Sequence, residues 1–250
     1  MGDTINFCGL SFNGLDHNTI FQDSGEMKFV LTVNAEFIVK AYTDKAFSRL
    51  ISSNWATFDG QIPYFFAKLI SKNIPFCKIS GSDLIYDACQ YAKNHNKRVF
   101  LLGGDPESNR LAAQKLRKRY GIEIDGYSPP FSPYPFTEAF DQSILETVRD
   151  FKPDYLFVAF GTPKQEFWLG DHVAQLQAMG VKMCVGCGGT FDFVSGRIQR
   201  APRLVQNMGL EGIWRLFSEP KWFRLKRILV SLKFFPIFYN YHIAKMPHGN

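Results

Sequence analysis

The 250-residue sequence has no Asp-x-Asp pair, no Gly-x-Ser-x-Gly elbow and no two of its five histidines at metal-ligand spacing. A carboxylate-held divalent cation, a serine hydrolase and a histidine metal centre therefore have no anchor in it. Long apolar runs are missing too. The stretch Ile228 to Tyr239 is about a dozen residues, short of the ~20 that span a bilayer, and it carries Lys233 and Pro236. Cysteines number five, an odd count that argues against a disulfide framework. Cys184-Val-Gly-Cys187 has the spacing of a zinc or redox pair, but no further Cys or His follows nearby, and it rides an expected strand rather than opening a helix. The opening Met-Gly-Asp-Thr-Ile-Asn lacks the basic and apolar regions of a secretory leader, and Asn6 stands where myristoylation wants Ser or Thr.

Acidic residues are absent from Pro220 to Asn250. That segment carries Lys221, Arg224, Lys226, Arg227, Lys233 and Lys245, which together equal the whole net charge of +6. Interleaved with Trp222, Phe223, Phe234, Phe235, Phe238, Tyr239 and Tyr241, they suit an anionic membrane surface. Charge alone would also suit nucleic acid. Hydrophobic residues make up 46% of the chain, ample for a buried α/β core.

Strands are expected at Phe29–Val33, Val99–Leu102, Tyr155–Phe160 and Lys182–Val185. Helices are expected at Glu36–Ser52, Ile62–Ser71 (a buried one), Asp83–Asn94, from Pro106 to Gly121, Asp141–Phe151 and Lys164–Gly180. The clearest strand-to-helix signal is Gly103-Gly104 as turn, Asp105 as N-cap and Pro106 at the first helical position. Ser128–Phe136 is proline-dense and reads as a loop able to act as a mobile flap. Past Gly196 the pattern is helical without strands. The alternation implies a Rossmann-like, three-layer α/β core with a largely parallel sheet, residues 1–197, followed by a helical C-terminal appendage, residues 198–250.

Two glycine-rich switches carry most of the functional information. Phe-Val-Ala-Phe-Gly-Thr-Pro-Lys-Gln-Glu-Phe-Trp begins at Phe157, and Val-Gly-Cys-Gly-Gly-Thr-Phe-Asp-Phe-Val-Ser-Gly-Arg-Ile-Gln-Arg-Ala-Pro ends at Pro202. Their separation, roughly 25 residues, is that of neighbouring parallel strands, so both loops open at one sheet edge, where nucleotides and nucleotide-sugars bind. Phe191 stands where a dinucleotide fingerprint starting at Gly186 would need a small residue. Upstream lie Thr32-Val-Asn34-Ala-Glu36, Phe58-Asp59-Gly60, Gly81-Ser-Asp83-Leu84 and Leu101-Leu-Gly103-Gly104; downstream lie Gly209-Leu-Glu211, Arg215-Leu and Glu219-Pro220. Taken in order, from Thr32 to Arg227, these blocks resemble the WecG/TagA/CpsF glycosyltransferase family.

The resemblance implies that Asp59 is the general base on an acceptor hydroxyl, against the plain reading of Asp59-Gly60 as a turn. It places Lys78 where the family more usually has Arg, exchanging a bidentate fork for a point charge at a donor- or acceptor-binding position. It aligns Gly188, Gly189, Thr190 and Asp192 with the family's nucleotide loop. From the residues themselves, Thr32 and Asn34 end a strand with groups able to bond a sugar or phosphate. Gln165 can read a hydroxyl or a uracil edge, while its neighbour Glu166 has a capping role available. Gly103 and Gly104 either receive phosphate or make the turn. Arg215, Lys221 and Arg224 begin the segment that can reach a donor diphosphate. Trp222 stands where the family more often has a basic residue. Arg197, Arg200 and Arg203 recur at three-residue intervals, as a solvated face or as an anchor over an anionic site.

The expected activity is an inverting, metal-independent transfer of an N-acetylhexosamine such as ManNAc, or its uronic acid, from a UDP-sugar to a polyprenyl-diphosphate-linked saccharide. No cofactor, metal ion or nucleic acid is expected. The anionic inner face of the cell membrane is an expected partner, the location cytoplasmic and peripheral, and a homo-oligomer is left open. The rival readings are a Rossmann-type nucleotide-sugar modifying enzyme and a non-catalytic polyprenyl-phosphate-binding protein at the membrane surface.

Overall fold

The computed structural model describes residues 4–17, 19–71, 74 and 77–244. Residues 1–3 of the opening segment and Lys245 of the basic tail lie outside them. The chain forms two compact units, and elements are numbered in chain order.

The first unit comprises the described residues of Met1–Asp16, Thr32–Ser80 and Gln199–Asn250. Its strands are β1 (Thr4–Phe7), β2 (Leu10–Asn13), the end of β3 (Lys28–Val33) and β4 (Trp55–Phe58), ordered β1-β2-β4-β3. β1 and β2 are an antiparallel hairpin; β2 and β4 run parallel. Around them lie α1 (Ala35–Thr43), α2 (Lys45–Ser52), α3 (Gln61–Ile70), α10 (Arg203–Asn207), α11 (Glu211–Ser218), α12 (Trp222–Leu232) and α13 (Phe234–His242). The single helix expected over Glu36–Ser52 is two, because the Asp44 carboxylate accepts from the N–H groups of Ala46 and Phe47 and caps a new start. The helix after Asp59 exists, but it is not buried: Phe65, Leu69 and Ile70 face solvent.

Aromatic rings fill this unit. Phe12 stacks on Phe58 at 4.5 Å, Phe7 meets Phe58 edge-on at 5.5 Å, and Phe66 meets Phe238 edge-on at 4.6 Å. Each such pair contributes about 0.5–1.5 kcal/mol beyond area burial. Of the tail aromatics expected at a membrane, Phe234 and Phe238 are therefore core residues, while Trp222, Phe223, Phe235 and Tyr239 are exposed.

The second unit comprises the described residues of His17–Leu31 and Gly81–Ile198. Its strand order is β3-β8-β7-β5-β6, with β5 (Val99–Gly103), β6 (Ile124–Tyr127), β7 (Tyr155–Ala159) and β8 (Met183–Gly186), and every pair is parallel. β5, β7 and β8 are buried along their whole length, which is why they read as unbroken apolar runs. The helices are α4 (Gly81–His95), α5 (Pro106–Tyr120), α6 (Glu138–Phe151), α7 (Lys164–Asp171), α8 (Val173–Ala178) and α9 (Thr190–Ser195). The α/β class, the largely parallel sheet with helices on both sides and the C-terminal helices match the sequence reading. Among the described residues no helix is long and apolar enough to cross a membrane.

The loop expected as a flap is held down. The Ser128 hydroxyl donates to the Gly104 carbonyl, Lys164 Nζ donates to the Ser132 carbonyl at 3.0 Å, and the Tyr134 hydroxyl donates to Asp171. Phe136 packs edge-on against Phe140 and Phe160, and the Lys164 ammonium lies over the Phe131, Phe136 and Phe160 rings.

The Cys8 N–H donates to His242 Nε2 at 3.0 Å, which requires the neutral ring with its proton on Nδ1. Burial holds this imidazole below its ordinary value of 6.5. The contribution is present above that ordinary value and is lost as pH falls through the lowered folded one. The urea midpoint should fall between about pH 7.5 and about pH 5, and His242→Gln should flatten part of that dependence. An unchanged slope in the variant would contradict the assignment.

Candidate active site

In the first unit the polar residues gather where β3 and β4 end. Val33 closes β3, and its carbonyl accepts from the Asp59 N–H at 2.9 Å. Phe58 closes β4 with its ring in the aromatic core, so the next residue, Asp59, emerges at the strand's carboxyl edge and is half-buried. Gly60 then takes φ +98°, a conformation that favours glycine, and starts α3. Lys78 is bridged in parallel to Phe58, the Ile79 N–H donates to the Phe58 carbonyl at 3.1 Å, and the Thr57 hydroxyl donates to the Ile79 carbonyl at 3.0 Å. Asn34, Asp59 and Lys78 thus stand at one edge, each next to or bridged to Val33 or Phe58, the residues that end β3 and β4. Thr32 is buried within β3. The Asn34 side chain has a structural task, accepting from the Phe37 N–H at 3.1 Å to cap α1.

The C-terminal helices approach the same edge. A Cβ on Gly209 would stand 3.0 Å from Ile62 and 3.6 Å from Gln61, the residues that follow Asp59-Gly60. Arg200, noticed in the sequence only as part of a triplet, donates to the Ser80 hydroxyl at 3.4 Å and pairs with Glu211 at 3.6 Å. Arg215 lies in α11. Lys221 and Arg224 both engage Glu219, Lys221 at 3.0 Å. Burial of that carboxyl opposes its ionisation, yet the hydrogen bonds and charges of Lys221 and Arg224 hold it below its ordinary value. Arg203 opens α10 and is exposed.

In the second unit three loops open at the carboxyl edge of β5, β7 and β8. The chain runs from β5 outward to β6 and, in the other direction, to β7 and β8, so the order reverses between β5 and β7. That reversal is where ligands enter open α/β sheets. Gly103 and Gly104 have φ +86° and +77°, and a Cβ on Gly103 would come 2.7 Å from the Phe160 ring. The turn alone therefore accounts for glycine there. Gln165 is buried, and its Oε1 accepts from the N–H groups of Gly161 (3.1 Å) and Gly188 (3.2 Å) while its Nε2 donates to Glu166 at 2.6 Å. This amide clamps the loop after β7 to the loop after β8. A Cβ on Gly186 would fall 2.6 Å from Gln165 and 2.7 Å from Glu166, so the clamp also requires glycine in β8.

Gly188 and Gly189 lead from β8 into α9. The buried Thr190 hydroxyl donates to the Cys187 carbonyl at 2.7 Å. Asp192 accepts from the Ser108 hydroxyl at 2.8 Å, and Arg197 donates to Ser108 and pairs with Asp105. The Ser108 N–H foremost, and then Arg197, hold the Asp105 carboxyl below its usual value. The sequence reading found Asp105 as a cap but missed the Asp105–Ser108–Asp192–Arg197 network that ties α5 to α9. Burial raises both the Cys184 and Cys187 thiols, which disfavours the thiolate that metal binding or exchange would use. Among the described residues no group of three His, Cys, Asp or Glu is placed to hold a metal ion.

A family model described as "Glycosyl transferase WecG/TagA/CpsF family" matches residues 5–247. Similar curated proteins include N-acetylglucosaminyldiphosphoundecaprenol N-acetyl-beta-D-mannosaminyltransferases from Staphylococcus aureus. The protein of strain MRSA252 is 30% identical over 219 residues, covering 87% of this chain and 80% of the relative. That of strain MW2 is 29% identical over the same coverage.

Replacing Gln165 by Ala removes the two part-buried hydrogen bonds from the Gly161 and Gly188 N–H groups, each contributing about 0.5–1.5 kcal/mol. Gln165→Ala should lower unfolding stability by roughly 2 kcal/mol, measured by urea titration. A variant as stable as the parent would mean that the two loops hold their positions unaided.

Proposed function

The chain belongs to the WecG/TagA/CpsF glycosyltransferase family, and from that membership we propose its reaction. It is a glycosyltransferase. The donor is a UDP-sugar carrying an N-acetylhexosamine such as ManNAc, or its uronic acid. The acceptor is a polyprenyl-diphosphate-linked saccharide, the class in the names of its relatives.

The observation that carries this reading is the position of Asp59, fixed through its own N–H at the carboxyl edge of β3 and β4 with Lys78 bridged beside it. In the reaction the acceptor hydroxyl oxygen attacks the anomeric carbon and its proton passes to the Asp59 carboxylate. The bond from that carbon to the diphosphate breaks as the new one forms, so the configuration inverts and the electron pair leaves on UDP. One positioned base contributes typically about 10²–10⁴-fold.

Charge on the departing diphosphate is assigned to Lys78, Arg215, Lys221 and Arg224 rather than to a metal ion, in keeping with the missing Asp-x-Asp. At Lys221 and Arg224 the diphosphate takes the place that Glu219 now occupies. Substrate-binding positions are assigned to Thr32 and Asn34 in the first unit, and to Gly103, Gly104, Gly188, Gly189, Thr190 and Asp192 in the second, with Gln165 holding the loops there. Residues 198–250 serve as the membrane-contacting appendage at the cytoplasmic face, closing as a lid beside Asp59. Exposed Trp222, Phe223, Leu229 and Leu232 alternate there with Lys221, Lys226 and Lys233. Each basic residue near an anionic leaflet adds about 1 kcal/mol.

Asp59→Asn keeps the shape and removes the base, so UDP binding should persist while transfer falls by at least about 10²-fold. Near-normal turnover would remove Asp59 from this role. A chelator should leave the transfer rate of the parent unchanged, and an absolute requirement for Mn²⁺ or Mg²⁺ would overturn the charge assignment.

A further inference from the structure

Helix α3 was expected to be buried, and it is not. Phe65 and Leu69, one turn apart on the same face, are 53% and 62% exposed, and Ile70 is exposed beside them. Its inward residue Phe66 is covered by the last helix, meeting Phe234 at 5.5 Å, Phe235 at 5.8 Å and Phe238 at 4.6 Å. Phe66 also touches Phe65, at 5.7 Å. Phe65 and Leu69 of α3 therefore continue into Phe235 and Tyr239 of α13, which share the outer face of their own helix one turn apart and are exposed. Two helices far apart in sequence present one apolar surface.

Charge identifies what covers it. No Asp or Glu occurs from Gln61 to Ser82, a stretch that carries Lys68, Lys72 and Lys78, and none occurs from Pro220 to Asn250. The stretch Ser108 to Ile122 is also free of acid and carries Arg110, Lys115, Arg117, Lys118 and Arg119, but it exposes no large apolar side chain. Lys68 extends over the Tyr64 ring, with the ammonium 4.5 Å from its centre, and Lys233 stands immediately before α13. An apolar face bordered by lysines and free of carboxylates in its sequence neighbourhood matches an anionic bilayer, where rings and Leu enter the acyl boundary and ammonium groups stay at the phosphates.

We propose that α3 is a second membrane-inserting element, with Phe65, Leu69 and Ile70 entering an anionic leaflet together with Phe235 and Tyr239 of α13. This rests on the membrane-contact reading above and adds a surface to it outside residues 198–250. It has a direct consequence for the chemistry. α3 starts immediately after Asp59-Gly60 and is roughly 15 Å long. A helix seated at the interface by its far end keeps the base within that distance of the headgroup layer, the depth at which a lipid-linked diphosphate lies.

The test compares full-length Phe65→Ser/Leu69→Ser, Lys226→Gln/Lys233→Gln and the parent. Each is floated with vesicles of phosphatidylcholine and phosphatidylglycerol, and with phosphatidylcholine alone. The α3 variant should lose at least about tenfold in partitioning to both vesicle types. The lysine variant should lose binding only to the anionic ones. Transfer to a short-chain, water-soluble acceptor should be unchanged in the α3 variant, with a thermal midpoint close to that of the parent, since neither side chain lies in the core. If the α3 variant floats like the parent while the lysine variant does not, α3 is no membrane element and the tail reading stands. If the parent itself fails to float, both fail. If light scattering shows the parent to be an oligomer that the α3 substitutions dissociate, the face belongs to a second copy and the proposal is wrong.

Discussion

Phe58 is the residue on which the first unit turns. Its ring is fully buried, stacked on Phe12 and met edge-on by Phe7, and its backbone accepts from the Ile79 N–H and pairs with Lys78. Ala56, Thr57 and Phe58 are all fully buried, so both faces of β4 are covered, and Asp59 emerges because the strand ends at Phe58. Asp59 owes its place to that constraint together with the Val33 carbonyl that receives its N–H. For the base proposed at Asp59, a neighbour locked in an aromatic core supplies rigidity, and positioning errors of even about 1 Å are costly to catalysis.

The second unit solves a related problem by different means. Its three loops at the sheet edge are fastened to one another through side chains rather than through a core ring: Gln165 joins the loops after β7 and β8, and Asp192, Ser108, Arg197 and Asp105 join α9 to α5. Polar networks of this kind hold geometry well only when every member is satisfied. The proline-dense loop belongs to the same arrangement, being fixed at Gly104, at α7 and in the ring cluster around Lys164. The lysine itself is held below its usual value by burial, a further sign that the loop shields it from water.

What the sequence disclosed follows from how local each signal is. Val99 to Gly121 was legible because strand, glycine turn, Asp105 cap, Pro106 and the left-handed Gly121 all lie within one βα unit. The hairpin of β1 and β2, β4 at Trp-Ala-Thr-Phe, and β6 at Ile-Asp-Gly-Tyr were not, since each is four residues long and becomes a strand only through its partner. His172 likewise divides an expected long helix into α7 and α8, with its ring bonded to Asp141 at 2.7 Å, a partner 31 residues away. Among the candidate site positions, the loops at strand ends could be read from their glycines. The contacts of Lys221 and Arg224 with Glu219, and the double acceptor role of Gln165, depend on side-chain geometry that spacing does not encode.

The bond between Cys8 and His242 sets an order of events during synthesis. Every residue of the second unit has been made once Ile198 is added, so that unit can close while translation continues. The first unit cannot. Its hairpin is made long before Phe234, Phe238 and His242, which cover Phe7. Until they arrive, the ring of Phe7 lacks that cover, and the nascent chain must keep it from other chains by transient burial or by chaperones.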